Sequence, residues 1–401
     1  MEHILGVLGG IPKSTSRNDD DVVDRISHRY TVAMFLLFSV VVSTSQYVGD
    51  PINCWVPAHF SGAWETYANS YCWIKNTYYL PLQEYIPQAE GDADRQMITY
   101  YQWVPLILLV QALLFYLPCV LWRTFNARSG IDLNNIVEAS ESFQNSAVAA
   151  SKEKTMNFLV KQMNRYVTSQ REYASGFSVS IKNVISKICC SMCGRRHGNY
   201  LVVLYLFVKV VYIANSLCQL FMLNGFLGTN YHFYGIDVVR SLIRGEDWSS
   251  SHRFPRVTMC DFNVRRLGNL QRYTVQCVLP INLFNEKIYL FIWFWLVVLT
   301  ALTCFNLLSW IIKIAIKSDR RRFITKHLSL LNKLEGLTDQ TKIDKFVYEY
   351  LQQDGIFVLR LVSNNTDALT ITELVGALWE NYLKMNDDDS DDDDDDSFVY
   401  A

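Results

Sequence analysis

An all-α membrane fold with four transmembrane spans, and small β elements in the loops that join them, is what this sequence predicts, and three observations carry it. Half of the 401 residues are hydrophobic and 14% are aromatic, and this apolar content sits in blocks. Four blocks reach the roughly 20 residues a helix needs to cross a hydrocarbon core about 30 Å thick. Lysines and arginines crowd alternate block ends, the pattern of cytoplasmic flanks.

Taken in order, residues 1–29 form a cytoplasmic segment opening MEHILGVLGG, without the basic leader of a cleaved signal. The first span, 30–48, holds the uncharged run TVAMFLLFSVVVSTSQYV. An outer loop follows over 49–101. The second span, 102–122, holds QWVPLILLVQALLFYLPCVLW, where Pro105 and Pro118 predict kinks because each removes a backbone donor. A cytoplasmic stretch, 123–199, has helical spacing in NFLVKQMNRYV and, from Phe125 to Asn199, ten Lys/Arg against five Asp/Glu, which suits a helical face near anionic lipid. The third span, 200–227, carries one charge, Lys209. An ionisable group inside a membrane calls for a pore, a partner or a snorkelling side chain. Asn215 and Gln219, one turn apart, suit bonds between helices.

A second outer loop occupies 228–287, although its seven arginines run against the charge rule. The fourth span, 288–312, is followed by Lys313, Lys317, Arg320, Arg321 and Arg322. Residues 313–386 read as a helical cytoplasmic domain, its last helix opened by Thr370 and Glu373 in a capping box. The nine aspartates between Asp387 and Asp396 set the net charge of −2, and residues 387–401 read as a self-repelling, disordered tail.

The cysteines settle the sides of the membrane. Cys54 and Cys72 lie in the first outer loop, 18 residues apart, and Cys260 and Cys277 in the second, 17 apart. Four cysteines with matched spacing suit two stapled loops in an oxidising space, and spacing alone leaves three pairings open. Cys119, Cys218 and Cys304 fall within spans. Cys189, Cys190, Cys193 and His197 have zinc-ligand spacing, but a juxtamembrane group of this kind reads as reduced or palmitoylated, so no metal is expected. No phosphate loop, catalytic triad or HExxH pattern occurs, so an enzyme, a cofactor and a nucleic-acid partner have no support. The Asn364 sequon falls on the cytosolic side.

YYQWVP (Tyr100, Tyr101, Gln102, Trp103, Val104, Pro105) resembles the signature of innexins, the gap-junction proteins of invertebrates. GDPINCW (49–55), HRFPRVTMCDF (252–262), CVLPINLFNEKIYLFIWFW (277–295) and DGIFVLR (354–360) extend the resemblance over most of the chain. Two cysteines per outer loop also fit innexins, where connexins carry three. The resemblance implies bridges Cys54–Cys277 and Cys72–Cys260, the pairing that two antiparallel strand-like loops would also give. It further implies a ring of eight subunits, alone or mixed with other innexins, docked to a ring on the adjacent cell. The N-terminal segment, with Met1, Glu2 and His3, would line the pore, and Lys209 is a further pore-lining candidate. Tyr100, Tyr101 and Trp103 are placed for an interfacial aromatic belt, with Trp103 as an anchor. The expected function is passive passage of ions and small metabolites between cells. The alternatives are a non-junctional hemichannel that releases solutes and a pore-less adhesion or scaffold protein.

Overall fold

The computed structural model describes residues 19–81, 96–146, 148–171, 198–227, 231–245, 253–331 and 338–395. Four of its helices are long and apolar enough to cross a membrane: α1 (Val22–Tyr47), α3 (Val104–Asn126), α6 (Tyr200–Leu227) and α8 (Pro280–Ala315). Their centres match the four apolar blocks, but two begin earlier than the sequence suggests. Helix α1 starts at Val22 and passes through a π-helical turn at Ile26–Tyr30, which polar residues had marked as loop. Helix α8 starts at Pro280, whose missing N–H costs nothing in a first helical turn. Pro105 likewise lies in the first turn of α3, whereas Pro118 is interior.

The chain divides into two compact units. One comprises residues 26–117 and 212–303. It adds to its parts of the long helices β1 (Asn53–Trp55), α2 (Gly62–Lys75), β2 (Thr77–Tyr79), β3 (Gln96–Ile98), α7 (Tyr234–Arg244), β4 (Val257–Arg266) and β5 (Asn269–Val278). The strands form one antiparallel sheet in the order β1-β5-β4-β2-β3. Sequence reasoning expected the first loop to be strand-like, yet Cys72 lies on α2. Ala68 and Cys72, one turn apart, are both fully buried, the spacing of a helical face. Ser39 Oγ of α1 donates to the Pro105 carbonyl of α3 at 3.0 Å, and Trp295 Nε1 of α8 donates to Thr31 Oγ1 at 2.9 Å.

The other unit comprises residues 1–25, 118–211 and 304–401. Its further helices are α4 (Leu133–Asn145), α5 (Ala149–Arg171), α9 (Lys317–Leu330), α10 (Thr338–Lys345), α11 (Gln352–Asn365) and α12 (Ala368–Asp395). Asp132 caps α4 by accepting from the Asn134 and Asn135 amides. Asp354 caps α6 from a distance in sequence, accepting from the Val202 amide at 3.1 Å and from Tyr166 at 3.2 Å. Helix α12 opens at Ala368, with the Ile371 amide bonded to the Asp367 carbonyl, so Thr370 sits inside the first turn and is not its cap. Its backbone stays helical to Asp395, where the sequence reading has a disordered tail from Asp387. Extending a formed helix costs far less than starting one.

Candidate functional site: a stapled loop sheet and a buried charge cluster

Two disulfides tie the first loop to the second, Cys54 of β1 to Cys277 of β5 and Cys72 of α2 to Cys260 of β4. Cys54 and Cys277 are direct register partners across the sheet. Phe262 and Tyr273 stack on facing strands, and Phe60, Trp64, Tyr67 and Tyr71 pack around that pair. The β4–β5 hairpin turns at Leu267 and Gly268, both at positive φ (49° and 89°), the conformation of the two-residue turn that matches strand twist. A glycine is at home there and a leucine is not. Leu267 is also 99% exposed and Trp55 75%.

The YYQWVP segment is the hub beneath this sheet. Tyr100 donates to the Arg253 carbonyl at 3.1 Å, and Gln46 of α1 donates to the Tyr101 carbonyl at 2.7 Å. Gln102 and Tyr101 both donate to the Trp73 carbonyl of α2. The motif thus joins the first span, α2 and the second loop. Tyr100 and Tyr101 are buried, and burial pushes the Tyr101 hydroxyl up to about 12. They are packed core residues and do not form an interfacial belt; only Trp103 is exposed, at 57%. Asn282 and Glu286, in the early turns of α8, complete the ties by bonding the Pro255 carbonyl at 2.8 Å and Arg256 at 2.9 Å.

The other unit holds a cluster of charges just before and within the first turn of α1. Lys209 is 0% exposed, and its Nζ lies 2.7 Å from Asp24 and 3.9 Å from Asp21. Tyr205 donates to Asp24 at 2.9 Å, while Trp310 and Asn306 donate to Asp21 at 3.0 and 2.7 Å. Trp122 reaches the Asp19 carbonyl at 3.1 Å. The segment before α1 is thereby bonded to α3, α6 and α8. Lys209 is accordingly an interior ion pair, which corrects the pore-lining and snorkelling readings: a buried ammonium needs a carboxylate, and one is within reach. Burial acts to raise the Asp21 carboxyl, but the Lys209 charge and the bonds from Trp310 and Asn306 outweigh it and leave its pKa lowered. Asp20 goes the other way. Burial and the neighbouring Asp24 and Asp19 charges push it to about 8, although Arg25 lies 3.3 Å away.

Sequence reasoning missed Asp20, Asp21 and Asp24; the available signal was DDDVVDR abutting a span in a chain with one intramembrane lysine. Met1, Glu2, His3, Cys189, Cys190, Cys193 and His197 lie outside the described residues.

A family model of innexins matches residues 20–382. The chain belongs to the innexin family. Similar relatives include innexin unc-9 of Caenorhabditis elegans, 39% identical over 91% of this chain and 92% of that protein. Innexin-11 of the same worm is 37% identical, over 95% of this chain and 83% of its own length. Innexin-19 of Caenorhabditis briggsae is 34% identical, over 92% and 88%. Innexins are channel proteins and not enzymes, so the chain is a membrane subunit of gap-junction type that assembles with other innexins.

Proposed function

We propose that this innexin forms a channel through which ions and small metabolites diffuse passively between the cytoplasms of adjacent cells. Eight subunits surround the pore, both termini are cytosolic, and the disulfide-stapled loops face the gap at the plasma membrane, where the ring docks with one on the neighbouring cell. Residues 1–12, with Glu2 and His3 near the narrowest point, line the pore mouth.

The observation that carries this reading is the two-bridge sheet. Joining the two loops through cysteine pairs 223 and 188 residues apart in sequence removes much of their freedom before any partner arrives, which lowers the ordering cost of docking. Reducible bridges also belong in an oxidising space, which favours the loops as the outer face.

Dye loaded into one cell of an expressing pair tests the function. Transfer to the neighbour supports the junction. Uptake by single cells without transfer would favour a hemichannel, and neither, with protein at the surface, would favour a pore-less scaffold.

A further inference from the structure

Where α8 ends and α9 begins, the backbone turns through an extended residue, Ile316, and the corner encloses a groove of about 570 Å³. That volume is in the range of small-molecule clefts. Its floor is an apolar stripe, Phe305, Leu308 and Ile312 along one face of α8, continued by Ile316 at the corner, each residue 48–71% exposed. Its rim is cationic. Lys313 and Arg322 line this groove and also the adjoining cleft of about 260 Å³, to which Lys326 adds a third cation. The acid among them, Asp319, is already held by Arg360 at 2.7 Å, which leaves the rim in positive excess. Ser318, in the first turn of α9, also lines the groove, where the first N–H groups of a helix favour an anion.

An apolar slot continuous with a membrane-spanning helix, ending in cations at its polar limit, matches a molecule with an acyl chain and an anionic head. We propose that this corner binds an anionic glycerophospholipid, with an acyl chain along Phe305, Leu308 and Ile312 and the phosphate between Lys313 and Arg322. The inference rests on the cytosolic orientation given above, because it places the corner in the leaflet that carries anionic lipid. By tying α8 to α9, the lipid would hold the membrane span and the cytosolic helices in one arrangement.

The test uses the full chain in phosphatidylcholine nanodiscs containing phosphatidylserine, with lipid retained per subunit counted by native mass spectrometry. The wild type should retain phosphatidylserine in preference to phosphatidylcholine. Each cation is worth about fivefold in affinity, so the double variant K313Q/R322Q should weaken retention about thirtyfold. Ile312→Trp, which fills the slot and leaves the cations, should also lose the lipid. Three results would each overturn the inference: equal retention of phosphatidylcholine, retention unchanged in either variant, or full competition by water-soluble glycerophosphoserine, which would mark a free-anion site. Images of the same sample keep the two readings apart. Rings without selective lipid would sink this inference alone, and selective lipid without rings would sink the channel reading alone.

Discussion

Replacing Lys209 with methionine keeps the length of the side chain and removes the charge that two carboxylates share. With an effective dielectric of about 20, a unit charge at 2.7 Å from Asp24 contributes about 6 kcal/mol and at 3.9 Å from Asp21 about 4 kcal/mol. Desolvation of the ammonium offsets much of this, and breaking such a buried pair from one side costs about 3–5 kcal/mol. Asp21 lies farther from the ammonium and keeps its bonds from Trp310 and Asn306, so most of the loss falls on Asp24, the carboxylate at 2.7 Å. K209M and D24N should each lower the melting temperature of the purified protein by roughly 5–10 °C, read by size-exclusion recovery after heating. The double variant D24N/K209M should lose clearly less than the sum of the two, since neither charge is then stranded. Wild-type melting of K209M, or strict additivity in the double variant, would refute the assignment of Lys209 as an interior partner of the first span.

The raised Asp20 pKa makes stability depend on pH with a definite sign. The folded chain keeps a proton on Asp20 up to about pH 8 that the unfolded chain releases near 3.8, so this contribution is complete in acid and is lost as pH rises through that window. D20N should flatten that part of the melting-temperature profile, and an unchanged slope would contradict it. Gly235 of α7 has no room for a side chain, because a Cβ would lie 2.1 Å from the Trp293 ring. Gly235→Ala should therefore cost about 1–3 kcal/mol by overpacking, seen as a lower melting temperature. Cys54→Ser or Cys260→Ser should cost about 2–5 kcal/mol and abolish coupling in protein that still reaches the surface. Cys304→Ser, at an unbridged cysteine, should do much less; equal effects would show that the bridges carry no special weight.

The spans were legible because a membrane helix declares itself in one continuous run, and the loop cysteines because their number and spacing are visible without structure. The earlier start of α8 was hidden by Asn282, Asn285, Glu286 and Lys287, which look like loop but turn Asn282 and Glu286 toward Pro255 and Arg256. Helix α2 was hidden because a cysteine-bearing loop reads as strand, and the two buried positions that mark its face are too few to declare a period. The charge cluster was the least legible. Lys209 and Asp24 are 185 residues apart, and no local pattern links them. Tyr100 and Tyr101 were recognisable as a motif, while their role emerges only from bonds to Arg253, Trp73 and Gln46, each far away in sequence.

The central claim is that this innexin builds a ring whose stapled loops meet those of another ring, and projection imaging of the purified full-length particle tests it most directly. The account predicts rings of eight subunits around a central opening, with a fraction paired face to face through the loop sheets, and loss of the pairs after reduction of the disulfides. Single subunits, closed clusters without an opening, or pairs joined through the opposite face would contradict it.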